Sequence, residues 1–222
     1  MIIGEAKPLD EILEMLEPFD DIVLAGCNGC VTVCRAGGQK EVAVLASALR
    51  LARETAGRPI AIREETLERQ CDPEYVERLR PTLAEHQALL SIACGAGVQF
   101  LAEKYPRIPM LPGIDTRFIG VTERQGEWTE RCQACGSCVL HLTGGICPVS
   151  RCSKSIFHGP CGGSVDGHCE IDAAVACGWQ LIIDRLEALG RLDQYERLQP
   201  MKNWRTSRDG GPRRVLREDL VE

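Results

Sequence analysis

Short apolar runs alternate with longer amphipathic stretches over the first part of the chain. Asp21-Ile22-Val23-Leu24-Ala25 reads as a buried strand. From Gly37 to Ala56, Val42, Leu45, Ala46, Leu49 and Ala52 recur at helical spacing, and Gly57 lies just past the end, so a helix is predicted there. Arg58 to Ile62 is a second strand. Asp72-Pro73 has the form of a cap followed by proline at the first helical position, which predicts a helix to about Ala84. Ala88 to Ala93 is a third strand, Gly97 to Lys104 a third helix, and Ile108 to Leu111 a shorter extended piece. An opening helix, Leu9 to Leu16, is expected to pack on the outside. Strands separated by helices imply parallel pairing through right-handed crossovers. The expected fold class is therefore α/β, with a small three-layer parallel-sheet domain over residues 1–122.

The pattern changes after Glu123. Apolar runs become scarce, glycines frequent, and eight cysteines fall between residues 131 and 177. Such a stretch buries little core and needs metal staples to fold. Residues 123–202 are expected to form this cysteine-rich, metal-stapled module. Its C-terminal helix is predicted from Asp172 to Leu189, with Trp179, Leu181, Ile182, Ile183 and Leu186 on the apolar side and Gly190 ending it. Residues 203–222 read as a polar tail.

Composition narrows the chemistry. The 222 residues are 44% hydrophobic and 26% charged, values of a globular protein, so disorder is not expected. A net charge of −6 argues against a nucleic-acid footprint. Met1 to Pro18 lacks a basic segment followed by an apolar core, and the apolar run Val42 to Ala46 is far too short to span a bilayer. A cytoplasmic protein without membrane insertion is expected. Thirteen cysteines are then unusual, and the odd number forbids complete internal pairing. In a reducing compartment they point to metal ligation or catalysis rather than disulfides.

Five of them form a first group. Cys27, Cys30 and Cys34 make C-x2-C-x3-C directly after the first strand. Cys71 falls between the second strand and second helix, and Cys94 directly follows the third strand. In a parallel α/β sheet all these junctions lie on the carboxyl edge, where ligands bind. Four thiolates suit Zn²⁺ or a [4Fe–4S] cluster. The cluster is favoured, because the close cysteine turn supplies adjacent corners and helix N-termini offset its negative charge. Cys30, Cys34, Cys71 and Cys94 are the preferred ligands, with Cys27 next. Gly95-Ala96-Gly97 hints at a dinucleotide loop, but Phe100 holds the third glycine's place, so a tight strand-to-helix turn is the better reading.

The second group begins with Cys132-x2-Cys135-x2-Cys138, as bacterial ferredoxin motifs do, and Cys147 is followed by Pro148. The gap between Cys138 and Cys147 is longer than in ferredoxins. Cys152, Cys161, Cys169 and Cys177 supply four more thiols. Eight cysteines allow two four-thiolate sites: one cluster, and a second cluster or a structural zinc. His141, His158 and His168 lie among them and are read as solvent-facing or hydrogen-bonded, since the thiols suffice without them. Lys154 and Arg151 are candidates to moderate the negative charge of the sites. Catalysis by a cysteine nucleophile would need a paired base, and no recognisable pairing is present.

The segment from Cys132 through Cys138, Gly144-Gly145-Ile146-Cys147-Pro148 and Cys152 resembles the methylenetetrahydrofolate reductase C-terminal domain family. Gly159-Pro-Cys-Gly-Gly, Gly167-His-Cys-Glu and Ala176-Cys-Gly-Trp extend the likeness. In many anaerobes such a domain belongs to a separate subunit, and Ala25-Gly-Cys-Asn-Gly-Cys-Val-Thr-Val-Cys looks like that subunit's N-terminal half. The resemblance implies an iron–sulfur electron-transfer subunit with one [4Fe–4S] cluster in the N-terminal domain and one or two in the C-terminal module, zinc being the other metal. It implies a flavin-containing TIM-barrel partner, which holds FMN and reduces methylenetetrahydrofolate to methyltetrahydrofolate. It also implies an electron donor such as ferredoxin or a heterodisulfide-reductase-like assembly. No catalytic residue is expected in this chain. Two other functions remain open from the residues alone: a zinc-stabilised scaffold subunit, and a component of a corrinoid or thiol methyltransferase. The tail arginines, Arg205, Arg208, Arg213 and Arg214, read equally as a partner-docking patch or as solvated charge.

Overall fold

A computed structural model describes residues 1–220. The chain divides into two compact units, Met1–Thr129 and Glu130 onward.

In chain order the first unit holds β1 (Ile2–Ala6), α1 (Leu9–Met15), β2 (Asp21–Cys27), α2 (Cys30–Val33), α3 (Gln39–Thr55), β3 (Ala61–Leu67), α4 (Pro73–Val76), α5 (Arg80–Leu83), β4 (Ala88–Ser91), α6 (Gly95–Lys104), β5 (Met110–Pro112) and β6 (Ile114–Arg124). β7 (Glu127–Cys132) follows and carries the unit boundary within it. Four strands form a parallel sheet in the order β3-β2-β4-β5.

Alternation along β2 explains the layers. Ile22 and Leu24 face a core with Ile12 and Leu16 of the α1 segment and Val42, Ala46 and Leu49 of α3. Val23 and Ala25 face the opposite core with Val76, Leu79, Leu83, Leu101 and Tyr105. Both faces of a parallel sheet are thus covered, as its doubly apolar strands require. Arg53 is buried within the first layer, where its guanidinium donates to the carbonyls of Leu16 (3.0 Å), Phe19 (2.9 Å) and Arg58 (2.8 Å). It satisfies two carbonyls just past the end of α1 and one just past the end of α3.

Several boundaries differ from the sequence expectation, each for a local reason. The helix expected from Asp72 to Ala84 is broken into α4, a 3₁₀ turn at Glu77–Leu79 and α5. Pro81 lacks the N–H that a continuous helix would need. The cap itself is present: Asp72 accepts from the amide of Glu74 at 3.2 Å, with Pro73 at the first position. The second strand starts at Ala61 and runs on through Arg63, Glu64 and Glu65 to Leu67. As the sheet's edge strand it tolerates those charges.

A second, three-stranded sheet, ordered β1-β6-β7, was not expected. β1 pairs antiparallel with β6, from Ile2 opposite Ile119 to Ala6 opposite Ile114. It brings Ile3 and Ile114 into the α1/α3 core. The fold is therefore the expected parallel α/β layer with an added antiparallel sheet.

The second unit holds α7 (Pro148–Arg151), α8 (Gly178–Ala188) and α9 (Asp193–Glu196), with irregular chain between. Trp179, Ile182 and Leu186 of α8 form its core, against which Ile146, Cys152 and Cys177 pack. The expected helix from Asp172 begins only at Gly178. Residues before it are held otherwise: the Cys169 amide donates to Val175 (2.8 Å) and the Cys177 amide to Gly167 (2.7 Å). Among the described residues no helix is long and apolar enough to cross a membrane.

Candidate metal centres

β2 is flanked by β3 on one side and β4 on the other, so the chain direction across the sheet reverses between β2 and β4. Loops at such a switch point diverge and leave a crevice at the carboxyl ends, the usual ligand position in open α/β sheets. Cys27 is the last residue of β2, and Cys94 caps the N-terminus of α6 after β4. Cys71 stands in the loop after β3. Burial, followed by the negative charges of Cys94 and Cys27, raises the Cys71 thiol above its ordinary range. All three positions lie at the carboxyl edge of the parallel sheet although they are far apart in sequence.

Gln70 sets this arrangement. It is fully buried, and its amide donates to the carbonyls of Ala25 (3.0 Å) and Gly26 (2.9 Å) at the end of β2. Its carbonyl accepts from the Ser91 hydroxyl of β4 at 2.6 Å, and that hydroxyl accepts from the Ala93 amide at 3.2 Å. One side chain therefore ties the Cys71 loop to the strand ends that carry Cys27 and Cys94. Nothing in a polar residue beside a cysteine signals such a role in sequence. Only the topology places a glutamine between two strand ends.

The remaining two cysteines of the first group part company. Cys30 opens α2 and is exposed. Cys34 is only 6% exposed and turns toward β1, where its sulfur accepts from the Gly4 amide at 3.3 Å. It lies in the α1/α3 core. Close backbone contacts fix the α2 loop: the Cys27 amide donates to Gly37 at 2.7 Å, and a Cβ on Gly37 would lie 1.8 Å from the Ile92 carbonyl oxygen.

In the second unit, Cys132 ends β7 and Cys147 precedes Pro148 at the start of α7. The Ser150 hydroxyl donates to the Arg131 carbonyl at 2.8 Å, which draws α7 toward the Cys132 loop. The Ala134 amide points at the Cys132 sulfur, 3.3 Å away. Cys152, Cys161, Cys169 and Cys177 are linked through their neighbours. The Cys169 thiol meets the Ser153 hydroxyl at 3.4 Å, and the Cys161 thiol meets Glu170 at 3.6 Å. A Cβ on Gly178 would lie 3.0 Å from the Cys152 amide. The Ser153 hydroxyl, then the Ile171 amide, hold the Cys169 thiol below its ordinary range. Lys154 forms an ion pair with Glu170 beside these thiols.

All thirteen cysteines are free thiols. Among the described residues no group of three or more His, Cys, Asp or Glu side chains closes to metal-ligating distance. The donor set at both places is nonetheless sulfur, the ligand chemistry of zinc and iron–sulfur sites. The tail arginines do not share one environment: the Arg213 guanidinium folds back and donates to the Ala134 carbonyl of the Cys132 loop.

A family model described as "Methylene-tetrahydrofolate reductase C terminal" matches residues 111–205. That span is less than half of the chain and contains all eight cysteines of the second group. No curated protein and no solved structure matches the chain. Over residues 111–205, then, this chain carries a region related to the methylenetetrahydrofolate reductase C-terminal family.

Proposed function

We propose that the chain is an iron–sulfur subunit of the MetV type, which delivers electrons to the flavin of a separate methylenetetrahydrofolate reductase subunit. The observation that carries the reading is the placement of Cys27 at the end of β2, Cys71 in the loop after β3 and Cys94 at the start of α6, all on the carboxyl edge of the parallel sheet. The family likeness over residues 111–205 supports the same reading for the second unit. A bound [4Fe–4S] centre would supply one-electron transfer.

This chain's own residues would hold and tune such centres. Cys27, Cys71 and Cys94 are the N-terminal ligands, with Cys30, exposed at the first turn after Cys27, as the fourth. Cys34 is the spare thiol of that group, because it is committed to β1. Cys132, Cys135, Cys138 and Cys147 form one set in the second unit, and Cys152, Cys161, Cys169 and Cys177 another. The second set accommodates a cluster or a zinc ion. Folate and FMN belong to the partner, since the parallel sheet here has four strands and not the eight of a barrel. A ferredoxin or a heterodisulfide-reductase-like assembly is the expected donor.

The test is anaerobic purification followed by iron, sulfide and zinc analysis and EPR of the reduced protein. Iron and sulfide in multiples of four, with transfer of electrons from the reduced chain to a flavin reductase partner, are expected. A colourless preparation containing zinc alone would leave only a structural scaffold.

A further inference from the structure

The tail reads from sequence as solvated or as a docking patch, yet residues 202–213 close on the Cys132–Cys138 loop. Three carbonyls of that loop each receive a donor from residues 202–213. The Lys202 ammonium donates to Ser137 at 2.6 Å, the Thr206 hydroxyl to Cys135 at 3.0 Å, and the Arg213 guanidinium to Ala134. Arg213 also donates to the Thr206 carbonyl at 3.3 Å, which joins two of the three contacts. Lys202 is itself held between the rings of Phe157 (5.9 Å) and Trp204 (5.3 Å). The backbones meet at Gly136, whose φ is +79°, and a Cβ there would lie 2.2 Å from the Thr206 carbonyl oxygen. Ser207, 5% exposed, fixes the turn by donating to the Trp204 carbonyl at 2.7 Å.

We propose that Lys202, Thr206 and Arg213 are positioning residues for the metal centre of this loop. This rests on the metal-site reading above. A peptide whose carbonyl is held on one side presents its amide to the other. The held carbonyls of residues 134, 135 and 137 share their peptides with the amides of Cys135, Gly136 and Cys138, and the neighbouring Ala134 amide points at the Cys132 sulfur. Holding the carbonyls of residues 134, 135 and 137 outward keeps the loop amides free for thiolate sulfur and places two cations near a negatively charged centre. Outer partners of this kind orient ligands and tune the metal they bind. The clamp lies largely outside the cysteine pattern, so nothing in the ligand spacing discloses it.

The test uses the full chain, purified without oxygen, and variants Thr206→Val, Thr206→Ser and Arg213→Gln. Three quantities are read: metal content, the rate of metal release to a colorimetric chelator, and the EPR signal of the reduced protein. Thr206→Val and Arg213→Gln are expected to speed release from one site about tenfold and to alter one EPR signal, while the serine variant, which keeps the hydroxyl, returns both to wild type. Should the valine variant not fold, Arg213→Gln at the exposed end of the clamp carries the same expectation. Wild-type release and spectra in the folded variants, with only a lower melting temperature, would overturn the clamp and leave the metal sites standing. A wild-type chain without iron or zinc would overturn the metal reading itself.

Discussion

Cys34 and Cys71 belong to the same group of five thiols yet meet opposite surroundings. Cys34 is enclosed by β1 and the α1/α3 core, and its sulfur already accepts a backbone amide. Cys34→Ala should therefore keep the full metal content and lose roughly 1 kcal/mol of stability, the usual order for trimming a buried side chain. Chemical denaturation and metal analysis of the same sample check both halves. Cys71→Ser, by contrast, should remove the metal of the N-terminal site. In the metal-free chain the thiols also differ in acidity. Cys71 is raised by burial and by neighbouring sulfur, whereas Cys169 is lowered by the Ser153 hydroxyl and the Ile171 amide. Alkylation by iodoacetamide, which attacks the thiolate, should modify Cys169 at a lower pH than Cys71. The sign for stability follows: a folded-state pKa above the unfolded value helps folding below the unfolded pKa, and that help is lost as pH rises through the folded one. Cys34 shows what the sequence leaves out. Its C-x3-C spacing from Cys30 is that of a ligand, and only the path of β1 reveals the amide that meets its sulfur.

Elements meet at this site through two devices. Gln70 bridges β2 and β4 from the loop after β3. Gln70→Ala removes a donor from the carbonyls of Ala25 and Gly26 and the acceptor of the buried Ser91 hydroxyl, and trims a fully buried side chain, so a loss of about 2–4 kcal/mol is expected. Thermal unfolding measures that loss, and the N-terminal metal should become labile in parallel. Gly37 is the other device. Its missing Cβ lets the loop before α3 lie against the Ile92 carbonyl, and Gly37→Ala is expected to abolish stable folding of the first unit, read by circular dichroism. The order of the four parallel strands and of the longer helices between them was legible, since each apolar run had the length and spacing of its element. The break in the 72–84 helix was legible in principle from Pro81. The β1-β6-β7 sheet was not, because β6 is mixed in polarity and its partner β1 lies more than a hundred residues away.

At the scale of the molecule the two units differ in what can hold them. The first has two large apolar layers against one sheet. The second has the small core around Trp179, Ile182 and Leu186. Metal removal by chelation under reducing conditions should therefore unfold the second unit and leave the first folded, since metal-binding energy in small modules is folding energy. Limited proteolysis should yield a resistant fragment ending near residue 129.

The sequence by itself determined the parallel α/β layer of the first unit and where along the chain the thiols cluster. Hydrophobic period and cysteine spacing are local quantities, and local quantities are written in order along a chain. The tertiary structure alone decided that Cys34 packs against β1, that a glutamine ties the strand ends together, and that the tail folds back on the Cys132 loop. Those are relations between segments 20 to more than 70 residues apart, and only the packing of the sheets and loops brings such segments within a hydrogen bond's reach.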